Sequence, residues 1–429
     1  MNAGWFILRA MRQILVALLL AAGLLSGPLH AQDAADELPE GIEAGASKIA
    51  ACFLPGELDE LDARIDAARL PLPGCATGLI APERAIGATR SYLPGNGSVV
   101  DCASMRRRQE NSRQLYAFLG DVVAAAEGSA PACAAAMIRA WAEADAMAEV
   151  APGAAAGPSE TLGMFVLGGL ASTYLIHPKV RAAAGDDGDK VILGWFGRRS
   201  AQVAQNIDQR VKAGRHSNIL YWEGFSILPT ALMTADPDLL QRSRATFRIA
   251  LKEVTADQPA AQDDGFLPAE LGRGDKALTY QVFATQAIVG SATLSQAYGC
   301  DFLDGAGRRN QFVSLLARSI EGSFDPGVFT SAAVRLGASP KPIDQQQPGT
   351  VRRAPQLLYL VNRIDPRLAD RVDAELAKAL GKPQPVVAPS AGARAVNDRL
   401  GGGYARLADQ AAAMAAKPAP APLRKLCGG

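Results

Sequence analysis

The sequence predicts an all-α protein built from antiparallel helical hairpins. The chain is rich in alanine and leucine, and its apolar residues recur mostly at helical spacing. Period-two runs bounded by turn pairs, which indicate strands, are almost absent. The long helical segments are joined by short polar loops, and short connections favour antiparallel neighbours.

Taken in chain order, the helical segments are recognised by their apolar stripes and their breaks. In residues 132–149, Met137 and Trp141 fall on one such stripe. Asp236 and Pro237 mark a break, because aspartate suits an N-cap and proline the first helical position. The predicted helices cover residues 108–126, 132–149, 159–175, 188–212, 219–233, 237–254, 276–297, 306–321 and 353–380.

Two segments lack helical spacing. Residues 335–352 form a long polar loop, and long loops in compact domains are often functional. Residues 406–429 are rich in alanine and proline, which predicts a low-complexity tail that is mobile unless Cys427 is bridged.

The first 31 residues are typical of a secretory signal peptide. Arg9 and Arg12 precede the apolar run 14–25, and Ala31 is a small residue at the expected cleavage site. The run is shorter than the roughly 20 apolar residues that a membrane-spanning helix needs. The sequence therefore predicts a periplasmic protein that has no contact with the membrane once the signal is removed.

All six cysteines follow the signal segment, and an even number in an oxidising compartment permits up to three disulfides. The sequence leaves their pairing open, and buried free thiols are the alternative. The formal net charge is +1, so no overall basic field exists to recruit nucleic acid. An anionic ligand would have to be met by local arginines.

Several common active-site motifs are absent from the sequence, including the P-loop, the dinucleotide-binding glycine motif, the nucleophile elbow and H-E-x-x-H. After the signal segment only His177 and His216 remain, which argues against a zinc cluster and a Ser–His–Asp hydrolase. Asp263, Asp264 and Glu270 could serve a glycosidase, but such carboxylates are usually solvated surface groups.

Two polar and aromatic blocks remain, "HSNILYW" at 216–222 and "DDGFLPAELGRGDKALTYQVFA" at 263–284. Together they resemble the alginate lyases that cleave poly(β-D-mannuronate). That family carries N-N-H-x-Y-W and, later, D-x-G-F-L-x-N-E-L-x-R followed by A-L-x-Y-H-N-Y-A. Weaker similarities occur at residues 133–146, 89–92 and 399–402.

The resemblance spans roughly residues 75–405 and implies an α/α toroid, an incomplete α/α barrel of antiparallel helical hairpins with a groove on one face. It adds to the helical pattern the expectation of a single domain over residues 32–405. The polymer-binding groove would lie within that domain.

The resemblance also implies β-elimination from a 4-linked uronate polymer, with three catalytic residues. Asn218 would donate to the uronate carboxylate, and Arg273 would pair with it. Tyr280 would serve as base, as acid, or as both. Seven residues separate Arg273 from Tyr280, so a continuous helix would place them on one face, where a cation favours the phenolate.

Other side chains are candidates for substrate binding. Tyr221 and Trp222 offer flat faces to a sugar, although core packing is an equal alternative. Arg90 and Tyr92 stand where the family has a basic segment near the groove. The remaining two candidates are His216 and Gln281.

The sequence departs from the family at two histidines. Ile219 occupies the place of the catalytic histidine, and Gln281 that of the histidine after the tyrosine. Three explanations follow: Tyr280 acts alone in a syn elimination, His216 substitutes from three residues before Ile219, or elimination is lost and a binding groove remains.

The leading hypothesis is therefore a periplasmic polysaccharide lyase, active as a monomer on an anionic uronate polymer and requiring no metal or organic cofactor. The alternative is a catalytically inactive polyuronate-binding or scaffold protein in exopolysaccharide assembly or export. A purely structural helical protein is the third hypothesis, and it predicts no polyanion binding.

Overall fold

The computed structural model describes residues 52–87, 101–150, 156–254, 264–382, 398–400, 404–417 and 421–427. Their regular secondary structure is helical apart from an isolated bridge between Leu70 and Leu79 and a parallel pair of two-residue strands, β1 (Ala85–Ile86) and β2 (Glu149–Val150). The helices are α1 (Glu57–Ala67), α2 (Cys102–Glu127), α3 (Pro131–Glu143), α4 (Ala156–Ile176), α5 (Pro178–Lys212), α6 (Asn218–Thr234), α7 (Pro237–Glu253), α8 (Pro268–Leu271), α9 (Ala277–Ala297), α10 (Ala306–Phe324), α11 (Gly327–Arg335), α12 (Gly349–Arg352), α13 (Gln356–Ile364), α14 (Pro366–Leu380), α15 (Tyr404–Ala415) and α16 (Ala421–Cys427).

Three helices that are apolar on nearly every side, α4, α6 and α9, form an inner layer. Phe165 of α4 packs on Phe283 of α9, with ring centroids 5.5 Å apart. Further along both helices, the hydroxyl of Tyr298 donates to the carbonyl of Leu175 at 3.3 Å. Because the second contact lies later in both helices than the first, α4 and α9 run parallel. Trp222 of α6 joins the first contact by donating to the carbonyl of Phe283 at 3.0 Å.

Each inner helix is followed by an amphipathic outer helix that returns in the opposite direction. Ser200 on α5 bonds Thr230 on α6, whereas Arg210, later in α5, pairs with Glu223, earlier in α6. Similar contacts make α6 antiparallel to α7 and α9 antiparallel to α10. The predicted all-α class and the α/α toroid of antiparallel hairpins are confirmed.

The predicted break between α6 and α7 is also confirmed. The side chain of Asp236 accepts the backbone N–H groups of Asp238 at 2.9 Å and of Leu239 at 3.0 Å, and Pro237 begins α7. An unpredicted break of the same kind occurs at Asp365, which caps α14 and divides the predicted helix 353–380 into two.

Other predicted boundaries are wrong. Helix α2 begins at Cys102 rather than at residue 108. The predicted helix 132–149 ends at Glu143, because Asp145 and Met147 adopt left-handed backbone angles that end a helix. The chain then forms β2 and pairs with β1. Helix α5 begins at residue 178 rather than 188, with a local interruption at Gly185, where φ is +66°.

All six cysteines pair, giving disulfides Cys52–Cys102, Cys75–Cys133 and Cys300–Cys427. The first two tie the N-terminal part of the described chain to α2 and α3. The third attaches α16 to the loop after α9.

The boundary predicted at residue 405 falls within α15, and the described part of the predicted tail 406–429 contributes buried residues to the core. Leu407 of α15 and Leu423 of α16 are both buried. Within the described ranges, no helix combines the length and the apolar character that a bilayer crossing requires.

Candidate active site

The first turns of α4, α6 and α9 lie at one end of the toroid, here called the mouth, because these helices run parallel. Asn218 is the first residue of α6, and Tyr280 lies in the first turn of α9. Helix N-termini present unpaired N–H groups and a partial positive charge. The mouth is therefore electrostatically suited to an anionic ligand.

A buried carboxylate orients Asn218. Glu270, in the short helix α8, is fully buried and accepts two hydrogen bonds from Asn218: the backbone N–H at 2.6 Å and the Nδ2–H at 2.9 Å. Burial raises the pKa of Glu270, while the bonds from Asn218 favour its charged form. The Oδ1 atom of Asn218 is buried and has no hydrogen-bond partner among the described residues.

The same carboxylate reaches Arg273, whose Nε lies 3.5 Å from Glu270 Oε2. The guanidinium of Arg273 also stacks on the ring of Tyr280, 5.3 Å from its centroid, and the Arg273 side chain is 46 % exposed. The condition of a continuous helix through both residues is not met, because a 3₁₀ turn at Gly274–Lys276 precedes α9. The turn nevertheless brings the predicted pair together.

Beneath the mouth, Arg399 lies among aromatic rings. Its guanidinium is 4.5 Å from the ring centroid of Phe165 and 5.3 Å from that of Phe283, and its Nη2 donates to the hydroxyl of Tyr116 at 3.2 Å. Phe283 follows Tyr280 by three residues on α9, so the two rings are neighbours on one helix surface. Sequence reasoning noted only a weak similarity at 399–402 and missed this arginine.

Three predicted substrate contacts are core residues. Trp222 is 1 % exposed and Tyr221 is 3 % exposed. Gln281 is fully buried, and its side-chain amide is bonded to the backbone of Gly265 and Leu267 at 2.9 and 3.0 Å. All three are about as buried as Asn218, which is 2 % exposed, so their contact with a sugar stays a prediction.

His216 and Ile219 are not stacked on one helical face. Helix α6 begins at Asn218, and His216 instead pairs through Nδ1 with Glu253 Oε1 of α7 at 2.8 Å. Ile219 is partly buried, in the first turn of α6. Arg90 and Tyr92 lie outside the described residues.

A second buried carboxylate, Glu223, lies one turn beyond Ile219 on α6 and was not anticipated. It is 2 % exposed and accepts a hydrogen bond from Arg210 Nε at 2.7 Å, while its Oε2 has no partner in the described structure. Burial raises the pKa of Glu223 to about 7, against the opposing effect of Arg210.

Comparison with known proteins places these features in context. The alginate lyase family model matches residues 103–329. A polysaccharide lyase of Stenotrophomonas maltophilia is 29% identical over 267 residues, which cover 61% of this chain and 75% of the relative. An alginate lyase of Pseudomonas syringae pv. syringae is 30% identical over 206 residues, 46% of this chain and 50% of the relative. The match thus spans three quarters of one relative and half of the other.

Solved structures show the same architecture. Alginate lyase A1-III from Sphingomonas species A1 superposes with a TM-score of 0.51 and 15% identity, covering 84% of this chain and 94% of that one. A tyrosine-to-phenylalanine variant of alginate lyase A1-III complexed with tetrasaccharide gives a TM-score of 0.53 at 15% identity, covering 82% and 94%. At this level of identity the likeness concerns the fold.

Proposed function

The chain belongs to the alginate lyase family, and from that membership we propose that it cleaves a 4-linked, uronate-containing polymer by β-elimination. The observation that carries the proposal is the position of Arg273, which contacts both the carboxylate that orients Asn218 and the ring of Tyr280. A cation, an amide and a phenol are thereby gathered at the mouth. The substrate would be an alginate- or polymannuronate-like polyanion.

Asn218 and Arg273 would neutralise the carboxylate of the bound uronate. One Nδ2 hydrogen of Asn218 is used by Glu270, and the second is left without an acceptor by that bond. Because Asn218 is 2 % exposed, this second hydrogen would reach the substrate only if the residues that cover it move on binding. The exposed guanidinium of Arg273 can pair with the same group. Both contacts strengthen as negative charge develops on the carboxylate in the enediolate, so they stabilise the transition state more than the ground state.

Tyr280 would move the proton. Tyr280, acting as the phenolate, takes the proton from C5, and the electron pair of that bond forms the C4=C5 double bond. The C4–O4 bond breaks, and the phenol returns the proton to O4 of the departing chain. Tyr280 thus ends each cycle as the phenolate, and a syn elimination needs no histidine at position 219.

Export to the periplasm is part of the proposal. Three disulfides are typical of proteins in oxidising compartments, and they support the interpretation of residues 1–31 as a signal peptide. Residues 1–51 themselves lie outside the described structure.

The test is the ultraviolet absorbance of unsaturated uronates released from polymannuronate, polyguluronate and glucuronan. We expect Tyr280→Phe to abolish the signal, because the variant keeps the ring and loses the proton-transfer group. Tyr359→Phe is the matched control, since Tyr359 is another partly buried tyrosine, on α13. Equal activity of the wild type and Tyr280→Phe would exclude this mechanism.

A polyuronate-binding protein without lyase activity is the second candidate, and Ile219 in place of the family histidine favours it. That function predicts saturable binding of polymannuronate with no unsaturated product from any polymer. It also predicts that Ile219→His introduces elimination into a silent wild type, because an imidazole can donate to the uronate carboxylate or accept a proton.

A further inference from the structure

A segment of the long polar loop lies against the turn between Arg273 and Tyr280. This segment, residues 341–348, is here called the strap. It follows α11 and is attached to that helix by the hydroxyl of Thr330, which donates to the carbonyl of Ile343 at 3.0 Å. The loop length predicted a functional role from the sequence, and the contacts of the strap indicate which role.

One strap side chain bridges both ends of the turn. The Nε2 of Gln345 donates to the carbonyl of Gly274 at 3.0 Å, and its Oε1 accepts the backbone N–H of Leu278 at 3.1 Å. Gly274 directly follows Arg273, and Leu278 lies two residues before Tyr280. The side-chain amide of Gln345 therefore fixes the distance between the backbone beside Arg273 and the backbone near Tyr280.

Gln346 holds the middle of the turn. Its backbone N–H donates to the carbonyl of Asp275 at 2.8 Å, and its Nε2 donates to Asp275 Oδ2 at 2.5 Å. Its own carbonyl accepts the hydroxyl of Thr279 at 3.5 Å, a longer contact. Together the two glutamines bond to residues on both sides of the start of α9.

The turn needs this support from outside. The residue at the cap position of α9 is Lys276, and a lysine side chain has no acceptor for the free N–H groups of a helix start. Gly274 has φ +64°, a backbone conformation that closes the turn but adds no side-chain contact. Arg273 is also held by its contact with Glu270, which does not touch Tyr280. The stacking of an exposed arginine on tyrosine contributes only about 0.5–1 kcal/mol, too little to fix the angle between the guanidinium and the phenol.

We propose that Gln345 and Gln346 are positioning residues, which hold the guanidinium of Arg273 at a fixed angle to the phenol of Tyr280. This inference rests on the proposed function, because it concerns the alignment of the groups that neutralise the carboxylate and move the proton. The strap itself need not touch the substrate. It acts on the relative orientation of Arg273 and Tyr280 in the transition state.

The kinetic test compares Gln345→Met with the wild type. Methionine has a similar length and neither donates to Gly274 nor accepts from Leu278. Since a displacement of about 1 Å costs about 100-fold in rate, we expect kcat to fall about 10- to 100-fold, with a smaller change in KM. Asp344→Asn is the matched control, because this strap carboxylate is exposed, and its kcat should be unchanged.

A double-mutant cycle separates positioning from a general loss of structure. In an Arg273→Ala background, Gln345→Met should cost little more, since the group that it positions is already absent. Additive losses, or an unchanged kcat in Gln345→Met, would overturn the proposal. The melting temperature of each variant shows whether the fold is kept.

A readout without substrate distinguishes this proposal from the proposed function. In protein with ¹³C-labelled tyrosine, the ring signal of Tyr280, assigned with Tyr280→Phe, should move in Gln345→Met and stay in Asp344→Asn. If the Tyr280 signal moves while the wild type releases no unsaturated product from any polymer, the positioning role of Gln345 is supported and the proposed elimination is excluded. If the wild type is active and the Tyr280 signal does not move, the positioning role is excluded and the proposed elimination is supported.

Discussion

Glu270 is a buried carboxyl group that contacts two predicted catalytic residues at once. Leaving a carboxylate unpaired in the interior costs several kcal/mol, so its two bonds from Asn218 and its contact with Arg273 offset that cost. The same bonds leave few orientations open to the Asn218 amide. Glu270 thus determines the orientation of the amide that is proposed to bind the uronate carboxylate.

Glu223 predicts how the stability of the protein depends on pH. Its pKa is raised by burial to about 7, opposed by Arg210 and aided by nearby Glu160, so the folded state binds this proton more tightly than the unfolded chain. The stabilisation is full below the ordinary pKa of 4.5 and is lost as the pH rises through about 7. Glu223→Gln removes the titration, and we expect a flatter profile of unfolding free energy.

The difference between about pH 5 and about pH 8 should approach at most about 3 kcal/mol. It is measured by urea denaturation of both proteins across that range. Glu143→Gln, in an exposed pair with Arg139, is the control and should leave the profile of the wild type unchanged. Parallel profiles of the wild type and Glu223→Gln would show that Glu223 keeps its ordinary pKa.

Asn218, Arg273 and Tyr280 could be predicted because each lies within a recognisable motif. Glu270 and Glu223 could not be recognised as buried, because the burial of a carboxylate depends on partners far along the chain. The partner of Glu270 is 52 positions away. The apolar residues around Glu223 and the motif around Glu270 were signals of burial, but neither identifies the partner of the carboxylate.

At the scale of elements, the hairpins depend on close approach of helices. Gly224 of α6 faces Thr246 of α7, and a Cβ atom added to the glycine would lie only 1.8 Å from the threonine hydroxyl. The two helices therefore meet at a position where no larger residue fits. That contact sets the spacing of α6, which carries Asn218 at its first turn.

Gly224→Ala is expected to destabilise the protein by about 1–3 kcal/mol, because the helices must separate or Thr246 must leave its rotamer. Gly197→Ala is the matched control: this α5 glycine is also helical, and an added Cβ meets nothing within 4 Å. It should stabilise by about 0.4–1 kcal/mol. Opposite shifts in melting temperature are the expected result, and equal shifts would contradict it.

The long helices were predictable because their apolar spacing extends over several turns. Helix α8 was not, since four residues show no period. The end of α3 escaped prediction because its left-handed residues, Asp145 and Met147, are not the glycines that usually mark such a stop. The break at Asp365 resembles the one at Asp236, and the same Asp-Pro signal was available there.

At the scale of the whole molecule, disulfides secure the chain at both ends of the described structure. The toroid could be predicted from the helical pattern and the family resemblance, but the pairing of the cysteines could not, because it depends on distances in the folded chain. Cys300–Cys427 spans 127 positions and holds α16 against the body of the toroid. Cys52–Cys102 spans 50.

Replacing Cys300 and Cys427 together by serine should cost about 2–5 kcal/mol of unfolding free energy. The equivalent change at Cys52 and Cys102 should cost about 1 kcal/mol less, because the shorter loop removes less entropy from the unfolded chain. Urea denaturation under oxidising conditions measures both. A larger effect at the Cys52–Cys102 pair would show that native contacts outweigh loop entropy.

The hydrogen bond from Arg399 to the hydroxyl of Tyr116 joins positions 283 residues apart. A chain synthesised from its N-terminus contains the aromatic rings and the helix starts of the mouth long before this arginine is added. The contacts beneath the mouth are therefore completed only when synthesis is nearly finished. Chains truncated before Arg399 would keep the two motifs at 216–222 and 263–284 and still lack this contact.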